Sequence, residues 1–260
     1  MAHSDHALRP DRPALLAVLI DADNVLAKHA EAILKEISTI GEPALRRVYG
    51  DWSSQQLAGW KNQARDLGLV MHQQSANTKG KNASDIGLVI DAMDILHQGK
   101  FDGFVLVSSD SDFTRLASRI REEGLEVVGI GEGKTPESLR KVCNRFILIE
   151  NIVGEVETEA KPAPARATAA PAAKPDATPA LPAKRPETEA IPLIRKAMTT
   201  IDPDGEWFSL GQIGQYMVRA DPDFDPRTYG SARLSDLVKR LTKRFEVRKD
   251  GNQLMVRDIA

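Results

Sequence analysis

Three aliphatic runs that each lead into carboxylates constrain this chain more than any other feature. They are LLAVLIDADN (Leu15 to Asn24), the helix-like NASDIGLVIDAMD (Asn82 to Asp94) and FVLVSSDSDF (Phe104 to Phe113). A buried strand that stops at an acid puts that acid at the carboxyl edge of a sheet, where open α/β folds hold their ligands. Several acids gathered on one edge repel each other unless a cation sits among them. The pattern therefore points to a divalent-metal site.

From Leu15 to about Asn151, short aliphatic runs alternate with helical patterns. The expected strands are Leu15–Ile20, Leu45–Tyr49, Leu69–His72, Phe104–Val107, Glu126–Ile130 and Phe146–Ile149. The expected helices are Val25–Ile40, Ser53–Asp66, Ser84–His97, Asp112–Glu123 and Pro136–Val142. Such alternation argues for an α/β domain, a mostly parallel sheet with helices on both faces. Strand ends far apart in sequence then become neighbours on one edge, which is how Asp21, Asp85 and Asp110 would meet.

The rest of the chain divides by composition. The N-terminal residues 1–13 read as a disordered tail without a signal peptide. No run approaches the roughly 18 apolar residues of a membrane span, so a cytoplasmic protein with no membrane partner is expected. The single cysteine, Cys143, excludes an internal disulfide, suits a reducing compartment and reads as a small buried hydrophobe. Residues 14–153 form the α/β domain. Residues 154–188 are rich in Ala, Pro, Lys and Thr and read as a flexible linker, which as a coil would span roughly 30–35 Å. That reading leaves the two domains tethered and not packed. Residues 189–260 suggest a small winged-helix (α+β) domain: three amphipathic helices, IPLIRKAMTTI, SLGQIGQYMVRA and SARLSDLVKRLTKR, then a hairpin turning at Lys249 to Asn252. The formal net charge of -2 carries no nucleic-acid signature over the whole chain, but an average hides local patches.

The acids are not equivalent. Asp21 directly follows five aliphatic residues and has little to gain structurally, whereas Asp23 and Asn24 also suit a helix cap. With about 100° per residue, Asp85, Val89, Ala92 and Leu96 share one stripe, so Asp85 heads an apolar, sheet-facing surface. Asp91 lies about 120° away on that wheel, and Asp94 points further off, as a surface acid. In VSSDSDF, capping is the plain role for Ser111 or Asp112 but explains Asp110 less readily; Ser108 and Ser109 are small enough to let the backbone approach a ligand. Mg²⁺ takes one or two carboxylates at about 2.0–2.1 Å and fills its other positions with water and phosphate oxygens, a role that suits Asp21, Asp85 and Asp110.

LIDADN, GKNASDIGLVIDAMDIL (Gly80 to Leu96) and FVLVSSDSDFTRLASRIREEGLEVVGIG, in that order, resemble the NYN domain, the LabA-like branch of the PIN-like nucleases. GSARLSDLVKRL followed by FEVRKDG resembles an OST-HTH or LOTUS domain, a winged helix associated with RNA. The resemblance implies a Rossmann-like, PIN-like three-layer α/β/α domain carrying an endoribonuclease site that uses Mg²⁺ or Mn²⁺. By motif position it assigns catalytic roles to Asp21, Asn24, Asp85, Asp91, Asp110 and Asp112, with Asp21, Asp85, Asp110 and Asp112 on the metal. It raises Asp91, which the helix wheel alone ranks low.

The expected function is hydrolysis of RNA, single-stranded or structured, with a homodimer as a further expected assembly. Lys81 and Arg115 lie near the acidic motifs as phosphate contacts, and Lys239, Arg240, Lys243 and Arg244 on the third helix, with Arg248 and Lys249 entering the hairpin, form the RNA-binding set of the C-terminal domain. The bland reading of each is a solvated charge. Two rivals stand beside the nuclease. One is a non-catalytic RNA-binding adaptor that retains its acids; the other is a haloacid-dehalogenase-like phosphatase with Asp21 as nucleophile.

Overall fold

A computed structural model describes residues 12–73, 83–159 and 184–259. Alternation along β1 (Leu15–Asp21) sends Leu16, Val18 and Ile20 to one face and Ala17 and Leu19 to the other, and all five are buried. A strand buried on both faces belongs inside a parallel sheet. With β2 (Glu42–Gly50), β3 (Val70–Gln73), β4 (Gly103–Val107), β5 (Glu126–Gly131) and β6 (Arg145–Leu148) it forms a parallel sheet in the order β3-β2-β1-β4-β5-β6. Helices α1 (Ala30–Ser38), α2 (Ala58–Leu67) and α6 (Ile149–Glu159) supply buried side chains to one face; α3 (Ala83–Gln98), α4 (Thr114–Glu122) and α5 (Glu137–Val142) supply them to the other. This is the expected three-layer α/β/α arrangement.

The strand order reverses between β1 and β4. At such a switch point the two chain ends diverge and leave a crevice at the carboxyl edge. Helix α3 follows β3 and returns the chain to β4, so its first turn also starts at that edge. Cys143, buried as expected, has its thiol pushed up to about 12 by burial.

The C-terminal residues build a separate core from α7 (Ile191–Ile201), α8 (Leu210–Ala220) and α9 (Leu234–Arg240), closed by the antiparallel sheet β7-β9-β8 of Phe208–Ser209, Gln253–Asp258 and Phe245–Asp250. The expected hairpin is present, with Gly251 at φ +57 in its two-residue loop. Strand β7 escapes sequence reading because two residues carry no periodicity.

Several expected boundaries move. The first helix does not start at Val25: a short 3-10 turn occupies Ala27–His29 before α1. Helix α6 continues to Glu159, past the expected start of the linker, and residues 160–183 of that linker lie outside the described residues, as do residues 1–11. The third C-terminal helix stops at Arg240, so Lys243 and Arg244 lie in the turn that follows and not on the helix. The reason is packing: Leu241 and Phe245 are both buried, and reaching β8 requires the chain to turn between them.

The reading of the domains as merely tethered is also corrected. Arg227 of the C-terminal module pairs with Glu36 of α1 at 2.9 Å, Arg140 of α5 with Asp223 at 3.0 Å, and the amide of Asn151 donates to the Thr228 hydroxyl at 2.9 Å. Linker composition speaks only for the linker; whether the modules touch is decided by these surface groups.

Candidate metal centre

Asp21 ends β1 almost fully buried, with both carboxylate oxygens engaged. Oδ1 accepts the backbone N–H of Asp23 at 3.1 Å; Oδ2 accepts the Asn24 amide at 2.7 Å and the Ser108 hydroxyl at 2.8 Å. Burial raises the Asp21 pKa, and the hydrogen bonds from Asn24 and Ser108 oppose that rise. Neither Asp23 nor Asn24 caps a helix: Asn24 braces Asp21, and Asp23 is exposed.

Ser108 is the residue that sequence reading undervalued. Its hydroxyl donates to Asp21 and accepts the N–H of Asp110 at 3.1 Å, tying the end of β1 to the segment after β4. Ser109 accepts the N–H of Glu132 at 2.9 Å. Both serines therefore act through their hydroxyls. A buried hydroxyl directly after a strand and before an acid was the available signal.

Asp110 caps the 3-10 turn Ser111–Phe113, accepting the N–H of Asp112 at 2.9 Å, a cap the sequence reading gave to Ser111 or Asp112 instead. Asp85, in the first turn of α3, joins it. The carboxylates of Asp85, Asp110 and Asp112 each offer an oxygen within 4.8 Å of the others. Asp85 and Asp110 are half-buried and Asp112 is exposed. The Asp85 pKa is raised to about 6, first by burial and then by the charges of Asp21, Asp110, Asp112 and Asp23. Three hard oxygen donors at this spacing, open on one side, fit Mg²⁺ or Mn²⁺, which leave positions for water and phosphate.

Asp91 is not brought to this cluster. Its carboxylate takes the Arg47 guanidinium and the Tyr49 hydroxyl, both from β2. Burial alone would raise its pKa, and the hydrogen bonds from Arg47 and Tyr49 more than reverse that, holding it below the usual range. The ring of buried Tyr49 meets that of His72 of β3 at 5.1 Å between centroids, tilted by 35°. Asp91, to which the resemblance gives a catalytic role, fastens α3 to the sheet through these two partners. Asp91→Asn should lower stability by on the order of 1–3 kcal/mol, since it weakens a partly buried charged hydrogen bond. Its Mn²⁺ affinity should stay near wild type in calorimetric titration. Loss of Mn²⁺ binding as complete as in Asp110→Asn would add Asp91 to the ligand set.

The raised Asp85 pKa has a definite sign for stability. The folded chain holds this proton more tightly than the unfolded one, so the group's contribution is full below 3.8 and is lost as pH rises through about 6. Without added metal, Asp85→Asn should therefore melt above wild type at about pH 7.5, with the gap closing toward about pH 5. Differential scanning fluorimetry with and without Mg²⁺ checks this; a gap that does not change with pH would take Asp85 out of the acidic cluster.

Of the expected RNA contacts, Arg115 is exposed on α4, five residues beyond Asp110, and Lys81 lies outside the described residues. Arg240 donates to the Gly230 carbonyl at 3.0 Å. Lys239, Lys243, Arg244, Arg248 and Lys249 are all exposed, and the Arg248 guanidinium lies 3.9 Å from the Trp207 ring centroid.

Comparison with known proteins gives matches in two regions. The model of the NYN domain matches residues 15–150, and that of the OST-HTH/LOTUS domain matches residues 182–256. Among solved structures, a protein of unknown function, VPA0982 from Vibrio parahaemolyticus RIMD 2210633, is 21% identical with a TM-score of 0.45, covering 54% of this chain and 94% of its own. MurG of Acinetobacter baumannii is 15% identical with a TM-score of 0.36, covering 52% of this chain and 40% of its own. No curated protein matches the chain.

Proposed function

The chain belongs to the NYN domain family, and from that membership we propose that it is a divalent-cation-dependent endoribonuclease, its OST-HTH/LOTUS module holding the RNA. The observation that carries the reading is the meeting of Asp85, Asp110 and Asp112 at the switch point of the sheet. A Mg²⁺ or Mn²⁺ ion bound there would neutralise charge on a scissile phosphate and make an attacking water more acidic. Asp85 and Asp110 would orient the ion from the buried side, and exposed Asp112 would close the set toward solvent. Asp21, through Ser108 and Asn24, keeps the two strand ends in register beneath it. Arg115 would meet the phosphate backbone beside the acids.

Asp21 is badly disposed for the phosphatase alternative. A nucleophilic carboxylate needs an exposed lone pair aimed at the substrate, and Asp21 is 1% exposed with three donors on its two oxygens. No helix among the described residues is long and apolar enough to cross a membrane, and nothing in the reading calls for a second copy of the chain.

The test is cleavage of single-stranded RNA by the full chain in Mn²⁺, with chelator and Asp110→Asn as controls. Cleavage that needs both the cation and Asp110 supports the reading. Salt-sensitive RNA binding without any cleavage would leave the adaptor in its place.

A further inference from the structure

We propose that residues 221–228 form a clasp that holds the C-terminal module in one orientation on the β6 edge, so that RNA bound by the module is presented to the acids at a fixed angle. The presentation step rests on the nuclease reading; the clasp does not.

The β6 edge would otherwise offer unpaired backbone groups, and exposed sheet edges recruit further strands. The N–H of Phe146 instead donates to the Pro222 carbonyl at 2.7 Å. Pro222 has no N–H of its own, so pairing stops at this contact. On one side of the edge Asp223 takes Arg140 of α5. On the other, Thr228 takes Asn151 of α6, and Arg227 grips Glu36 of α1 through two parallel bonds of 2.9 and 3.0 Å. Helix α5 covers one face of the sheet while α1 and α6 cover the other, so the clasp straddles the edge. A single contact would be a hinge; contacts on both faces fix direction.

The energetics favour a closed clasp. The side chains of Arg227 and Glu36 are 11% and 14% exposed, and Arg227 also pairs with Asp225 at 2.7 Å. Losing Glu36 would leave the largely buried Arg227 guanidinium with Asp225 but without its partner on α1, which costs stability. Pro222 and Pro226 restrict the open segment and lower the entropy lost on closing. None of the clasp partners belongs to the acidic cluster, and with the module docked Asp112 stays exposed. The module is therefore an arm and not a lid.

Small-angle X-ray scattering on the full chain tests the clasp. Wild type should scatter as one compact particle, and Glu36→Gln/Arg140→Gln should gain on the order of 30 Å in maximum dimension, the reach of a released coil. Asp223→Asn, entering from the other module, should move scattering the same way, and retained cooperative melting excludes misfolding as the cause. The released variants should keep RNA affinity but cleave more slowly. A wild type that already scatters as freely tethered modules, released variants that scatter as wild type, or faster cleavage on release would each overturn the proposal. Absence of cleavage in every variant, with the compact-to-extended change retained, removes the nuclease reading and leaves the clasp standing.

Discussion

Asp110→Asn should cut Mn²⁺-dependent RNA cleavage by about a thousandfold, equivalent to roughly 4 kcal/mol of transition-state stabilisation. This substitution isolates charge from structure. Asp110 caps the turn through Asp112 N–H, and asparagine serves that cap about as well, so folding stability should change by less than about 1 kcal/mol. What is lost is the charge of one of the three clustered carboxylates. Asp21→Asn is a less clean experiment: the amide keeps one acceptor oxygen and turns its N–H groups toward either the Asp23 N–H or the Asn24 and Ser108 donors, leaving buried polar groups unsatisfied. Single-turnover cleavage, Mn²⁺ titration and thermal melting on one preparation separate the effects. Cleavage within about fivefold of wild type, less than about 1 kcal/mol in the barrier, would sink Asp110 as a catalytic ligand.

The parallel sheet was legible because its central strands β1, β4 and β5 are short, apolar and buried, and because β1 alternates between two buried faces. Asp85 was legible from helix geometry alone: Ala92 and Leu96, on its stripe, are buried, which leaves the carboxylate at the head of a core-facing surface. Asp91 was not. Its partners lie 42 and 44 residues earlier, on a strand that sequence cannot dock against α3, and motif position does not report them. The interface between the modules was hidden for the same reason. Arg227 and Glu36 are 191 residues apart, and the acids of DPDFD read equally well as solvated loop residues. Periodicity reports which face of an element is buried; it does not report which charged group on another element waits there.

Trp60→Ala should lower the free energy of unfolding by about 3–5 kcal/mol, the range for removing a large aromatic from a packed core. Trp60 is 1% exposed and packs in the core cluster between the sheet and α1, α2 and α6. Its indole N–H donates to the Val25 carbonyl at 3.1 Å. That bond pins the loop leaving β1 four residues after Asp21, just beyond the Asn24 amide that braces the Asp21 carboxylate. Trp60→Phe would keep much of the apolar burial and remove only the donor, at about 1–3 kcal/mol for a buried carbonyl left without its partner. The two variants therefore separate packing from loop anchoring. In urea denaturation the alanine variant should lose clearly more stability than phenylalanine, while both should weaken Mn²⁺ binding, because a loosened Val25 frees the Asn24 brace on Asp21. If Trp60→Phe binds Mn²⁺ as tightly as wild type, the Asp21 brace does not depend on this anchor, and Trp60 contributes to the core alone.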